Sequence, residues 1–192
     1  MRIISGTSKG KKLYEPKDLL TRPLRDLTKE SIFNIICHSN KFNVALEDAN
    51  ILDLFSGTGS FGLECLSRGS KHVTFVENYK KILPILKKNI IGLNYEKNSK
   101  IIEMDINNSL SFKVFQNQFD IIFLDPPYKE KKLFQMLENI VQFNLLKDEK
   151  TLGELFSFFI LETILLARAL KLDPYNQPAV ELIKTETAKI LT

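Results

Sequence analysis

Asp125-Pro126-Pro127-Tyr128 is the segment of this chain best equipped for chemistry. It follows residues 119–124 (Phe-Asp-Ile-Ile-Phe-Leu), an apolar, β-branched and aromatic run that reads as a buried strand. The first proline prevents continuation as strand or helix. Asp125 should therefore stand at the carboxyl end of that strand, where an α/β sheet opens a ligand crevice. A carboxylate there can accept hydrogen bonds, the prolines stiffen the turn that holds it, and Tyr128 offers a face for stacking. The bland alternative is a strand-ending turn with an exposed tyrosine, and only the context separates the two.

The context is a set of similar strand ends. Residues 50–55 (Asn-Ile-Leu-Asp-Leu-Phe) form a second strand-like run, followed by Ser56-Gly57-Thr58-Gly59-Ser60-Phe61-Gly62 and a helical pattern. Glycines at 57, 59 and 62 have the spacing for a tight turn, close approach of a ligand and tight helix–strand packing. A third run, 72–76, ends at Glu77, about twenty residues beyond Gly57, the usual place for a ribose-binding carboxylate. A fourth run, 100–104, delivers Asp105 to the same edge, where it can accept an adenine amino group. Each acid alone would pass for a solvated strand end. Asp125, Glu77 and Asp105 at successive strand ends argue for a nucleotide-like ligand, and the loop by itself suits NAD as well as S-adenosylmethionine (SAM).

Two resemblances bear on that choice. Asp53-Leu54-Phe55-Ser56-Gly57-Thr58-Gly59 resembles the Asp-x-Phe-x-Gly-x-Gly signature of SAM enzymes, and Asp125-Pro126-Pro127-Tyr128 resembles the catalytic motif of methyltransferases that act on exocyclic amino groups of nucleobases. The chemistry accounts for the residue types. An aromatic amine's lone pair is delocalised into the ring and attacks poorly. A carboxylate and a backbone carbonyl that accept its two N–H groups pull the nitrogen towards tetrahedral geometry, while the tyrosine stacks on the base. Such a tetrapeptide has no role in hydride transfer. The resemblance thus implies SAM as cofactor, held by Asp53, Phe55, Gly57, Gly59, Glu77 and Asp105, with Asp125, Pro126, Pro127 and Tyr128 as the catalytic turn.

The amino terminus narrows the substrate. Residues 1–13 read as a short hairpin bent at Gly6 and Gly10. Residues 1–25 carry Arg2, Lys9, Lys11, Lys12, Lys17, Arg22 and Arg25 against Glu15 and Asp18, a net of +5, while the whole chain carries +4. The positive charge is concentrated in one segment, which suits a phosphate-binding arm more than a solvated tail, because Ile3, Ile4, Leu13 and Tyr14 are interleaved with it. Together with Met1-Arg2-Ile3-Ile4-Ser5-Gly6, Arg22-Pro23, Phe33-Asn34-Ile35-Ile36, Ser67-Arg68-Gly69 and Phe75-Val76-Glu77, these motifs make residues 1–150 similar to the RsmD-type bacterial 16S rRNA guanine-N2 methyltransferase family. The resemblance implies methyl transfer to N2 of a guanine in 16S rRNA, within a partly assembled small subunit, by a cytoplasmic monomer. Arg2, Lys9, Lys11, Lys12, Arg22 and Arg25 would bind the RNA. Lys9, Lys11 and Lys12 stand where that family often has arginine, which keeps charge but loses bidentate phosphate geometry. The alternatives are an inactive SAM- or RNA-binding remnant and a DNA amino-methyltransferase, against which the arm argues.

The last forty-odd residues break the pattern. An apolar helix over 155–167 and then Asp173-Pro174-Tyr175-Asn176-Gln177-Pro178-Ala179-Val180-Glu181 resemble the carboxyl-terminal end of glucose-6-phosphate isomerase, whose functional lysine falls on Lys184. One lysine without the rest of a sugar-phosphate site cannot isomerise a sugar. The helix is too short and too charged to span a membrane.

The expected architecture is an α/β, SAM-methyltransferase (Rossmann-like) doubly wound sheet of order 3-2-1-4, truncated after the fourth strand. It divides into a basic hairpin and helix (1–40), a methyltransferase core (41–150) and a foreign helical tail (151–192). At 44% apolar the chain has enough material for a core. Cys37 and Cys65 read as buried thiols of a reducing compartment, and two histidines apart in sequence do not suggest zinc. Pro84 should kink the helix that contains it, and Lys80, Lys81, Lys87 and Lys88 read as the solvated face of that helix.

Overall fold

The computed structural model describes residues 1–16, 26–38, 45–106, 109–115, 118–126 and 132–147. The chain divides into two compact units, Met1–Leu152 and Gly153–Thr192. The second, with Lys184 and the isomerase-like segment, lies outside the described residues, as do Arg22, Arg25, Pro127 and Tyr128. In chain order the first unit holds α1 (Asp26–His38), β1 (Asn50–Leu54), α2 (Ser60–Ser67), β2 (His72–Glu77), α3 (Leu83–Gly92), β3 (Ser99–Glu103), β4 (Ile121–Leu124) and α4 (Leu133–Gln142). The strands form one parallel sheet in the order β3-β2-β1-β4, as expected. Ile51, Leu52, Leu54, Val73, Phe75 and Val76 are fully buried. That is why β1 and β2 read as continuous apolar runs: central parallel strands are covered on both faces.

Helix α2 is buried along its whole length and lies directly on the sheet. A Cβ at Gly62 would come within 2.4 Å of the Phe75 ring and 2.7 Å of Val73, so only glycine allows the approach. Phe33 of α1, Phe61 of α2 and Phe123 of β4 stack in a column, with centroid separations of 5.1 and 3.8 Å, and the Arg68 guanidinium caps the Phe33 end at 4.3 Å.

Two local expectations are revised. Pro84 does not kink α3, because the helix begins at Leu83 and the proline occupies its first turn, where the missing N–H has no partner to lose. Cys65 is buried, and burial raises its thiol above the usual range. Cys37, in the last turn of α1, is exposed. Just ahead of β4 the chain has a further backbone partner. Phe119 pairs in parallel with Leu146 on the side away from β1, donating to Leu145 O (2.7 Å) and accepting from Lys147 N–H (3.3 Å).

The amino-terminal hairpin forms as expected. Ile3 N–H donates to Lys11 O, Gly10 N–H to Ile3 O and Leu13 N–H to Met1 O, at 2.9, 2.9 and 3.1 Å. Its apolar residues Ile3 and Leu13 are buried. What the charge pattern did not reveal is how firmly the hairpin is fixed to α2. The buried Glu64 carboxylate accepts Ile4 N–H (2.8 Å) and Ser5 N–H (2.9 Å), and it pairs with Lys29 Nζ (3.6 Å) and Arg68 Nε (2.9 Å). Lys29 also donates to Arg2 O (2.6 Å) and Ser60 Oγ (3.2 Å). Gly6 crosses so close to the end of α2 that a Cβ there would lie 1.8 Å from Ser67 O, and its φ of +80° is glycine's as well. Burial lowers the Lys29 ammonium below its usual pKa, against the opposing pull of Glu64 and Asp26.

Glu64 serves more partners than Lys29 does, and the two substitutions should differ accordingly. Glu64→Leu strands a buried ammonium and two backbone N–H groups and should cost about 3–5 kcal/mol in urea unfolding. Lys29→Met leaves the carboxylate its other partners and should cost distinctly less.

Candidate functional site

Parallel register brings the strand carboxyl ends to one edge: Leu54 lies beside both Val76 and Leu124, and Glu77 beside Glu103. The loop after β1, Glu77, Asp105 and Asp125 therefore share that edge. The loop starts with Phe55 at φ 59°, a conformation costly for a bulky side chain and one that persists only where surroundings enforce it. Ser56 N–H donates to Val76 O (3.0 Å), and Gly59 N–H closes the turn on Ser56 O (2.8 Å).

Glu77 is the organising acid. It is only 7% exposed. Its Oε2 accepts Gly57 N–H (2.7 Å), while Oε1 accepts the N–H groups of Asn78 and Tyr79 (2.9 Å each). The carboxylate is thus locked at the mouth of the glycine loop by backbone donors. Asp53 sits deeper, 1% exposed, with Oδ2 accepting Gly62 N–H at 3.1 Å. It ties the start of α2 to β1 from beneath the loop. Burial raises its pKa to about 8, opposed by the Gly62 N–H and reinforced by the negative charges of Asp125 and Glu77. Asp125 follows β4 directly and keeps access to solvent, with Pro126 partly covered beside it. Desolvation raises its carboxyl pKa as well. Asp105 is exposed just past β3, on the same edge.

This edge suits a cationic nucleoside. Acids whose ionisation is penalised by burial and by one another gain from a nearby positive charge. Carboxylates at the ends of β2 and β3 offer acceptors to hydroxyl and amino groups. The arm residues stand elsewhere: Lys9, Lys11 and Lys12 are exposed on the hairpin, and Arg2 pairs with Asp26 at 3.3 Å while remaining largely exposed.

Comparison with known proteins agrees with this geometry. The family model described as conserved hypothetical protein 95 matches residues 1–153. The chain belongs to that family. It is 37% identical over 150 residues to a protein of Bacillus subtilis provisionally named an rRNA methyltransferase, covering 78% of each chain. It is equally identical over 150 residues to ribosomal RNA small subunit methyltransferase D of Haemophilus influenzae, covering 77% of this chain and 74% of the relative. Among solved structures, an Escherichia coli protein provisionally named a methyltransferase is 30% identical, with a TM-score of 0.64 over 78% of this chain and 76% of the other.

Within this family member, sequence reasoning missed Asn89. The side chain is 2% exposed. Its Oδ1 accepts Tyr14 N–H (2.7 Å), and its Nδ2 donates to Tyr14 O (3.1 Å) and Thr58 O (3.0 Å). One amide thus joins the strap after the hairpin to the glycine loop. Asn89 directly follows Lys87 and Lys88, so in the linear sequence it reads as one more polar residue of the helix surface.

The raised Asp53 pKa makes a pH prediction for the ligand-free protein. Between the unfolded value of 3.8 and the folded value of about 8, the native state holds more protons than the unfolded chain. Stability from this group is full below the lower value and is lost as pH rises through the upper one. Wild type should therefore lose up to roughly 1.4 kcal/mol per pH unit across that window relative to Asp53→Asn, which keeps an acceptor for Gly62. Thermal melts of both proteins at pH 5 and pH 8.5 measure it.

Proposed function

We propose that the chain is a SAM-dependent rRNA methyltransferase that modifies the N2 amino group of a guanine in 16S rRNA. The observation that carries this reading is the shared edge of Glu77, Asp105 and Asp125 around the loop that Glu77 locks, in a family whose named relatives include ribosomal RNA small subunit methyltransferase D. When bound, SAM supplies an electrophilic methyl group on a sulfonium. Glu77 and Asp105 would hold the ribose and adenine, Gly57 and Gly59 would let the backbone approach, and Asp53 and Phe55 would fix the loop from below. Asp125 would accept an N–H of the target amine, and its raised affinity for protons makes it the better acceptor. Pro126 and Pro127 would keep that turn stiff, and Tyr128 would stack on the base. Arg2, Lys9, Lys11 and Lys12, with Arg22 and Arg25, would take RNA phosphates. The setting would be a partly assembled small subunit in the cytoplasm, with the enzyme as a monomer.

We read residues 151–192 as a foreign, isomerase-like tail. The support is the sequence signature at 173–181 and the end of the family match at residue 153. Reading the genomic locus across codons 145–155 tests it: a break in the frame there marks an artefact of assembly, and a continuous frame with a separate intact isomerase gene marks a fusion. A methyltransferase-like sequence in the corrected frame would replace this tail altogether.

Calorimetry should show binding of SAM or its demethylated product, with NAD silent. Glu77→Ala should weaken that binding by about 1–3 kcal/mol, since a charged acceptor is lost. Asp125→Ala should lower methyl transfer to small-subunit rRNA, presented in partly assembled subunits, roughly a hundredfold or more while leaving SAM affinity nearly unchanged. Near-normal turnover in Asp125→Ala would reduce the tetrapeptide to a structural turn. SAM binding without any transfer by the wild-type chain would make it an inactive remnant, and transfer to DNA in place of RNA would make it a DNA enzyme.

A further inference from the structure

We infer that Tyr14 and Lys88 form a platform for an unpaired RNA nucleotide at the rim of the cofactor loop. The inference deepens the RNA reading above and rests on it. Leu13 is buried between Lys12 and Tyr14, which both face solvent, and Tyr14 is 51% exposed. A free surface tyrosine would need no restraint, yet both backbone polar groups of Tyr14 are clamped by the buried Asn89 amide. The same amide holds Thr58 O of the glycine loop. The backbone that carries the ring is thereby held within one side chain's reach of the glycine loop. Lys88 Nζ of α3 lies 3.7 Å from the ring centroid, a cation–π contact that pins an otherwise mobile lysine beside the aromatic surface.

The charges around the ring favour a nucleic acid. Lys11, Lys12, Lys87 and Lys88 are exposed in the two segments that meet here. Glu15, the neighbouring acid, is engaged by the Met1 ammonium, which offsets its opposition to a phosphate. The helix face expected to be merely solvated thus continues the basic surface of the hairpin. A stacked base requires an unpaired nucleotide, because the bases of an A-form duplex are not presented for stacking on a side chain. Tyr14 takes the base and Lys88 the adjoining phosphate, so the platform selects single-stranded RNA next to the nucleotide being modified.

Fluorescence anisotropy with a short single-stranded RNA, and with the duplex it forms with its complement, tests this in the full chain. Tyr14→Ala should weaken single-strand binding about tenfold or more, and Tyr14→Phe should retain it. Duplex binding should be equal for all three proteins. Lys88→Ala should reduce the salt slope for single-stranded RNA by about 0.7. SAM affinity, held at wild-type level, shows that each variant is folded. Neutralising Lys9, Lys11 and Lys12 together supplies the control. If that variant loses RNA binding while Tyr14→Ala and Lys88→Ala do not, the platform is wrong and the arm reading stands. If none of the variants alters RNA binding, both are wrong.

Discussion

The buried carboxylate of Glu64 is the interaction on which the first unit depends. It accepts two backbone N–H groups from the hairpin and pairs with a lysine from α1 and with the arginine that directly follows its own helix. A charge removed from water is tolerated only when hydrogen bonds and counter-charges replace its solvation. Here the replacement comes from separate segments, so these can satisfy Glu64 only by assembling around it. The basic hairpin is consequently a fixed part of the surface. Its exposed lysines project from a backbone whose orientation is set by α2, and α2 in turn lies on the sheet whose edge forms the site.

The site edge shows the opposite electrostatic strategy. Glu77 accepts three backbone N–H groups and keeps one acceptor position of Oε2 open. Asp53 and Asp125 are held where ionisation is unfavourable, one by complete burial with negative neighbours and the other by desolvation. Self-repulsion is stored locally and would be relieved by a cationic ligand, while Glu64 keeps the rest of the fold neutralised. The two acids of α2's surroundings thus divide the labour. Asp53 anchors the start of the helix towards the ligand edge, and Glu64 anchors the hairpin on its other side.

Asn89 links these regions without any charge. A side-chain amide has both acceptor and donor, so it can match the N–H and C=O of one residue and still spend a hydrogen on another carbonyl. Joining Tyr14 to Thr58 in this way gives a structural route by which order in the glycine loop and order in the strap after the hairpin reinforce each other.

The sequence by itself determined the order of the sheet, the acids at its carboxyl edge, the glycine loop and the family. These depend on local periodicity, on where proline and glycine stop an element, and on motifs whose residues are contiguous. It also placed the positive charge in the first segment. Only the tertiary structure decided which polar residues support that layout. Lys29, Glu64 and Asn89 look like ordinary helix-surface residues in a linear reading, and apart from the Glu64–Arg68 pair the partners named for them lie 27 to 75 residues away. Pro84 was misjudged because its effect depends on where a helix starts. Spacing specifies which residues can share an edge. The matching of buried donors to acceptors across distant segments is a property of the packed chain, because desolvation, which makes those matches obligatory, exists only once the chain has folded.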